Sequence, residues 1–108
     1  DVYIPVDVYV NDDAFEISAF VPGIAAEEVK IEVLEDTVSI QGDFPAIEDE
    51  DARYLLKERP SGHFSRTLRL STSLQASKAE AEVVNGVLTV RIPKAEEAKA
   101  KQIKVKVK

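Results

Sequence analysis

The sequence predicts an all-β protein, an antiparallel sandwich built from seven to nine short strands. Two observations carry this. Apolar and polar residues alternate with a period of two through most of the 108 residues, and turn-forming residues interrupt the alternation at regular intervals. In such a sandwich each strand has one buried and one wet face. Length permits one domain, burying roughly two-thirds of its unfolded surface. Apolar residues make up 44% of the chain but aromatics only 6%, so Val, Ile, Leu and Ala must fill the core.

Residues 3–10 are extended, and Pro5 marks them as an edge strand because it cannot donate to a ladder. Asn11-Asp12-Asp13 forms a turn. In residues 14–21, Phe15, Ile17, Ala19 and Val21 share a face. Pro22-Gly23 breaks the strand, and Ala25 to Glu28 has room for one helical turn. Val29, Ile31 and Val33 then alternate with Lys30 and Glu32. Glu35-Asp36 turns the chain into Thr37–Gln41, where Val38 and Ile40 point inward. Residues 43–52 form the one long irregular stretch, with five acidic residues and a proline. Loops of that length inside a domain tend to be functional or disordered. A short strand is expected over Arg53–Glu58 and another over 63–70, after the Pro60-Ser61-Gly62 turn. Ala79, Ala81 and Val83 alternate with Glu80 and Glu82. Asn85-Gly86 supplies the positive φ angles of a two-residue hairpin turn. It leads into Leu88, Val90 and Ile92, and Pro93 ends the strand. Residues 95–102 read as a linker, and Ile103 to Val107 alternates strictly.

Composition excludes several functions. The chain has no Cys, hence no disulfide, thiolate metal site or thiol chemistry. This fits a reducing, cytoplasmic setting. No apolar run has membrane-spanning length. The chain also lacks Met and starts at Asp1, which reads as a fragment whose N-terminal arm lies upstream. A net charge of −6 argues against nucleic-acid binding. The charge is uneven: residues 94–108 hold six Lys and two Glu, and the remainder carries −10. A basic tail on an acidic body is suited to docking, although lysines also keep a tail soluble.

A series of motifs then resembles one family. Val21-Pro22-Gly23-Ile24 resembles its "PG" step, and Glu28 to Val33 its following strand. Glu58 to Arg66 resembles its "ER-x-x-G-x-F-x-R" segment. Leu68-Arg69-Leu70 is similar to its "RLP" stop, with Ser71 in place of proline. Asn85 to Lys94 resembles its "NGVL…PK" signature. In this order, over about ninety residues, the chain resembles the α-crystallin domain of small heat-shock proteins of bacterial or archaeal type. The resemblance implies an immunoglobulin-like sandwich over residues 1–94, with a strand-exchange loop at 43–58. It places a linker and C-terminal anchor strand at 95–108. It implies an ATP-independent holdase without cofactor or metal, binding unfolded client proteins. It also implies homodimers formed by strand exchange, and higher oligomers linked by C-terminal tails.

The resemblance gives roles to three groups of residues. Val29, Ile31, Val33, Ala79, Ala81 and Val83 match the family's groove for a tail or client. By periodicity alone plain core is the better reading of these six, and the resemblance shifts it toward a groove. Ile103 and Val105 resemble the "I-x-I/V" anchor, on one face of an extended segment that Val107 shares. If the tail pairs with the groove, the lysines Lys101, Lys104 and Lys106 would meet an acidic set, Glu28, Glu32, Glu80 and Glu82. The third group is the dimer interface: Tyr3, Ile4, Val6, Arg53, Tyr54, Leu55, Leu56 and Arg66. Arg66 shares parity with Phe64, Leu68 and Leu70. It therefore needs either a bulge near Ser65 that turns it outward or a salt bridge at the dimer interface, which the resemblance supports, with the carboxylates of 48–51 as candidates on charge.

For catalysis the residues offer little. His63 is the single histidine, and a lone exposed histidine is more often surface than base. Nucleophile elbows, phosphate loops and metal-ligand spacings are absent. An alternative to the holdase is a co-chaperone or adaptor sandwich serving a fixed partner, against which the long 43–58 loop argues. A sugar-binding or esterase sandwich would need His63 in a pocket with a carboxylate and a serine.

Overall fold

The computed structural model describes residues 2–98 and 103–107. Its strands are β1 (Val6–Val10), β2 (Ala14–Phe20), β3 (Lys30–Leu34), β4 (Thr37–Phe44), β5 (Gly62–Arg69), β6 (Glu80–Val84) and β7 (Val87–Pro93). They form two antiparallel sheets, ordered β1-β2-β7-β6 and β3-β4-β5. Ile17, Val21, Val38, Ile40, Phe64, Leu88, Val90 and Ile92 are fully buried between them. These are the inward positions of the alternating pattern, and burial of each contributes about 1.5–3 kcal/mol.

The turns follow from local chemistry. Asn11 Oδ1 accepts hydrogen bonds from the backbone N–H groups of Asp13 and Ala14, each at 2.9 Å, and so closes the β1–β2 turn. Asn85 and Gly86 have φ of 53° and 77°, both positive as a type I′ turn requires. This turn also packs inward: a Cβ on Gly86 would stand 3.2 Å from Pro22 Cα, and Val21 N–H donates to Gly86 O at 2.7 Å. The expected helical turn appears as a single 3₁₀ turn at Ala26–Glu28. Ser71 has φ of 61°. Proline is fixed near −65° and cannot adopt that backbone, so the departure from "RLP" reflects a different turn after β5.

Between β3 and β4, Asp36 accepts from Arg69 Nε and Thr37 Oγ1, both at 3.1 Å. The Arg69 hydrogen bond, followed by that of Thr37, holds its carboxyl below the ordinary value. A depressed carboxyl stabilises the fold above its unfolded value of about 3.9 and loses that contribution as pH falls through the folded value. Asp36→Asn is therefore expected to be slightly less stable than the parent at pH 7. Urea melts should show the difference shrinking as pH falls below the ordinary carboxyl value and through the lowered folded one.

The strand expected over 53–58 is not formed: Pro45–Ser61 carries no regular structure in this chain. The physical reason is that a strand needs a ladder partner, and this segment extends beyond both sheets. The bulge considered near Ser65 is also corrected. The β4–β5 register is unbroken from Thr37↔Arg69 to Phe44↔Gly62.

Both ends of the sandwich are tied down by backbone hydrogen bonds. Val2 N–H donates to His63 O at 2.7 Å and bridges the open edge of β5, while β1, four residues on, belongs to the other sheet. Ile4, between them, is buried. At the other end, backbone hydrogen bonds reach through Lys94 to the first residue of the expected linker. Lys94 N–H donates to Asp13 O, and Ala95 N–H to Ser73 O. Gln75 Nε2 donates to Lys94 O at 2.9 Å. A 3₁₀ turn at Glu96–Ala98 follows, and the remaining linker residues 99–102, Lys101 among them, lie outside the described residues.

Candidate functional site

Three features stand out at the surface: a groove, a long loop with its facing edge, and the tail. The groove lies where the free edges of the two sheets, β3 and β6, approach each other. Ile31 and Val33 face Ala79 and Ala81 around a cleft of about 300 Å³, with Val90 as its floor and Ala76 at one end. Leu74 N–H donates to Glu35 O at 3.1 Å, so the chain entering β6 sits where β3 ends, and the two strands run antiparallel across the cleft. Val33 thus lies toward Ala79 and Ile31 toward Ala81, and Val29 and Val83 continue the run. None of these six residues is fully buried. Val29, Ile31, Val33, Ala79 and Val83 are half-buried against the core, and Ala81 is exposed. The alanines keep the cleft open, because a larger side chain would fill it.

Val90 and Ala76 were not identified from the sequence. For Val90 the signal was available: a two-residue turn at 85–86 fixes the register, which places Ala81 opposite Val90. Ala76 sits in an irregular connection without any period.

The loop carries an exposed apolar run. Leu55 is 95% and Leu56 74% exposed, with Ile47 and Tyr54 also exposed. Pro45, Ile47, Tyr54, Leu56 and Pro60 line a cleft of about 490 Å³ within the loop. Ile47 was missed in sequence, because no periodicity marks it. Opposite in character is β1, the outer strand of its sheet. Its free backbone edge carries exposed Val8, Tyr9 and Val10, a ready template for another strand.

The other expected interface residues divide. Tyr3 and Arg53 are exposed, Val6 is half-buried, and Ile4 is inside its own core. Arg66 finds partners at home. Its Nη1 donates to Ile4 O at 2.7 Å, and its guanidinium lies over the Tyr3 ring, 5.2 Å from the centroid. Within one chain a backbone carbonyl and an aromatic face thus hold the guanidinium. His63 pairs with Asp43 at 3.1 Å, but the side chains are 42% and 74% exposed. This is a cross-strand surface pair rather than a pocket. In the tail, Ile103, Val105 and Val107 are 85–98% exposed and form no strand within their own chain.

The comparisons with known proteins fit this geometry. Residues 7–108 match the Hsp20/alpha crystallin family model. The chain belongs to this family. Among its relatives, the 18 kDa heat shock protein of Streptomyces albus G is 35% identical over 94% of this chain and 71% of its own length. The 17.8 kDa class I heat shock protein of Arabidopsis thaliana is 40% identical over 82% of this chain and 58% of its own. Among solved structures, heat shock protein 16.0 from Schizosaccharomyces pombe superposes with a TM-score of 0.80 at 29% identity, covering 98% of this chain and all of that one. The hspA of Xanthomonas axonopodis gives 0.76 at 31% identity, covering 90% of this chain and 96% of that one. Membership of this small heat-shock family implies a chaperone role, in which self-association and client binding are general. Such proteins are generally not enzymes. No helix among the described residues is long and apolar enough to cross a membrane.

Proposed function

We propose that this chain is the core of an ATP-independent holdase that captures partly unfolded polypeptides. Residues 1–94 act as the sandwich and 95–108 as linker and anchor, in a cytoplasmic setting. The observation that most supports this is the Tyr54-Leu55-Leu56 run, exposed on a segment with no ladder of its own. In a dimer, residues 45–58 of the 43–58 segment, beyond the end of β4 at Phe44, cross to the partner and add a strand to its first-strand edge, where main-chain hydrogen bonds give affinity and side-chain pockets give register. Arg53, Tyr54, Leu55 and Leu56 then bury against Tyr3 and Val6. Ile4 backs this surface from the core, and Arg66 holds the Tyr3 segment in place.

Ile103 and Val105 occupy the groove of a neighbouring copy. Each contributes about 1.5–3 kcal/mol on burial. Ordering the tail offsets much of that, so a single tail binds weakly. Several tails in one assembly hold through effective concentration. Weak single contacts let grooves open for clients.

The purified chain, mixed with a heat-denatured client enzyme and no ATP, is expected to suppress light scattering at near-stoichiometric ratios. Scattering as fast as without the chain, or suppression only with nucleotide, would reject the holdase reading.

A further inference from the structure

We infer that Glu32 and Glu80 form a charge clamp that selects Lys104 of an incoming tail. This rests on the tail-in-groove reading, in which Ile103 and Val105 of a neighbouring copy occupy the groove. With β3 and β6 antiparallel, Val33 and Ala79 make one apolar step of the groove, and Ile31 and Ala81 the next. The residues between those two steps are Glu32 on β3 and Glu80 on β6. Both are exposed, and Glu80 also lines the cleft itself. The central rim is therefore acidic on both sides.

One step further along, between Ile31 and Val29 on β3 and between Ala81 and Val83 on β6, the rim residues are Lys30 and Glu82. They offset each other. At the far end stands Lys78, on the 3₁₀ turn Ala76–Lys78. Only the central step presents two like charges across the groove. Arg91 is the cross-strand neighbour of Glu80 on the outer face, and also of Glu16. Glu16, Glu80 and Glu82 share one shallow cleft with it, so a single arginine leaves that face acidic.

An anchor of two apolar side chains at i and i+2 fills the two apolar steps. The residue between them then lies over the central step whichever way the segment runs, because the midpoint is unchanged by reversal. In this tail the residue between Ile103 and Val105 is Lys104. Its long stem lets the ammonium reach either carboxylate. Were Val105 and Val107 the pair in the groove, Lys106 would take that place instead. The clamp therefore calls for a lysine between two apolar anchors, and Ile103, which brings more apolar surface than Val107, favours the register that centres Lys104.

The test uses the full chain with its own tail disabled by Ile103→Asp and Val105→Asp, and a fluorescent peptide of residues 100–108 as probe. Exposed pairs are individually small. With two carboxylates involved, Lys104→Glu in the peptide is expected to weaken binding about three- to tenfold at low salt. Lys106→Glu should change it less than twofold, and 0.5 M salt should narrow the difference. Glu32→Lys in the body should weaken the parent peptide and restore the Lys104→Glu peptide. That rescue would not arise from a merely structural role of Lys104. If the parent peptide fails to bind, the tail-in-groove reading falls, and the clamp with it. If it binds but Lys104→Glu binds equally well, or Lys106→Glu has the larger effect, the clamp alone is overturned.

Discussion

Leu55→Asp combined with Leu56→Asp is expected to leave a folded sandwich that no longer pairs with a second copy. Both side chains project from the loop, 95% and 74% exposed. Their replacement removes nothing from the core, and the melting temperature of the isolated fold should hardly move. In a symmetric dimer each leucine counts twice. Four apolar side chains would lose burial worth about 1.5–3 kcal/mol each, and four carboxylates would need desolvation. Even half of that sum raises the dimer dissociation constant more than a hundredfold. Sedimentation at micromolar concentration should show the parent as a dimer or larger and the variant as a monomer. A variant still dimeric at the parent's concentration would mean that subunits meet through another surface. Loss of fold, read by circular dichroism, would instead mean that the loop packs on its own sandwich.

How legible these features were depended on where the partner of each segment lies. Strands whose partner is close in sequence were readable from alternation and turn chemistry. Asn85-Gly86 fixed the β6–β7 register, and Asn11 the β1–β2 turn. Residues 53–58 were not readable in this way. Their pattern suits a strand, but a strand exists only where a ladder is available, and within this chain none is. Arg66 was ambiguous for a related reason. Its parity placed it beside Phe64 and Leu68, yet its hydrogen-bond acceptor is the Ile4 carbonyl, 62 residues away in sequence. No local pattern encodes that distance. The groove residues were named by resemblance, since periodicity alone cannot separate a cleft wall from core. The half-burial of β3 and the small side chains of β6 make that distinction in three dimensions.

Gly42→Ala is expected to be costly, although the substitution adds a single carbon. Gly42 is buried in the middle of β4, directly opposite Phe64 on β5. Its φ is not in the left-handed region, so the backbone does not require glycine. Space does. A Cβ there would stand 2.7 Å from Phe64 Cζ and 2.9 Å from Cε2. The ring lies across the glycine and has no exposed surface. It packs against Phe44 with centroids 5.2 Å apart, so it cannot move aside cheaply. Overpacking of this kind costs about 1–3 kcal/mol, and truncation of the ring in Phe64→Ala about 3–5 kcal/mol. The two effects should not add. With the ring gone, the new methyl group on β4 enters the space it vacated, and alanine in a strand interior is better than glycine by about 0.5–1 kcal/mol. Gly42→Ala should therefore destabilise the parent and stabilise the Phe64→Ala variant, a reversal of sign that a double-mutant cycle in urea reads directly. Equal destabilisation in both backgrounds would show that β4 needs glycine for a reason other than the ring. The reversal would show that one glycine–phenylalanine pair sets how closely the edge strand β5, where the long loop re-enters the sheet, packs onto β4.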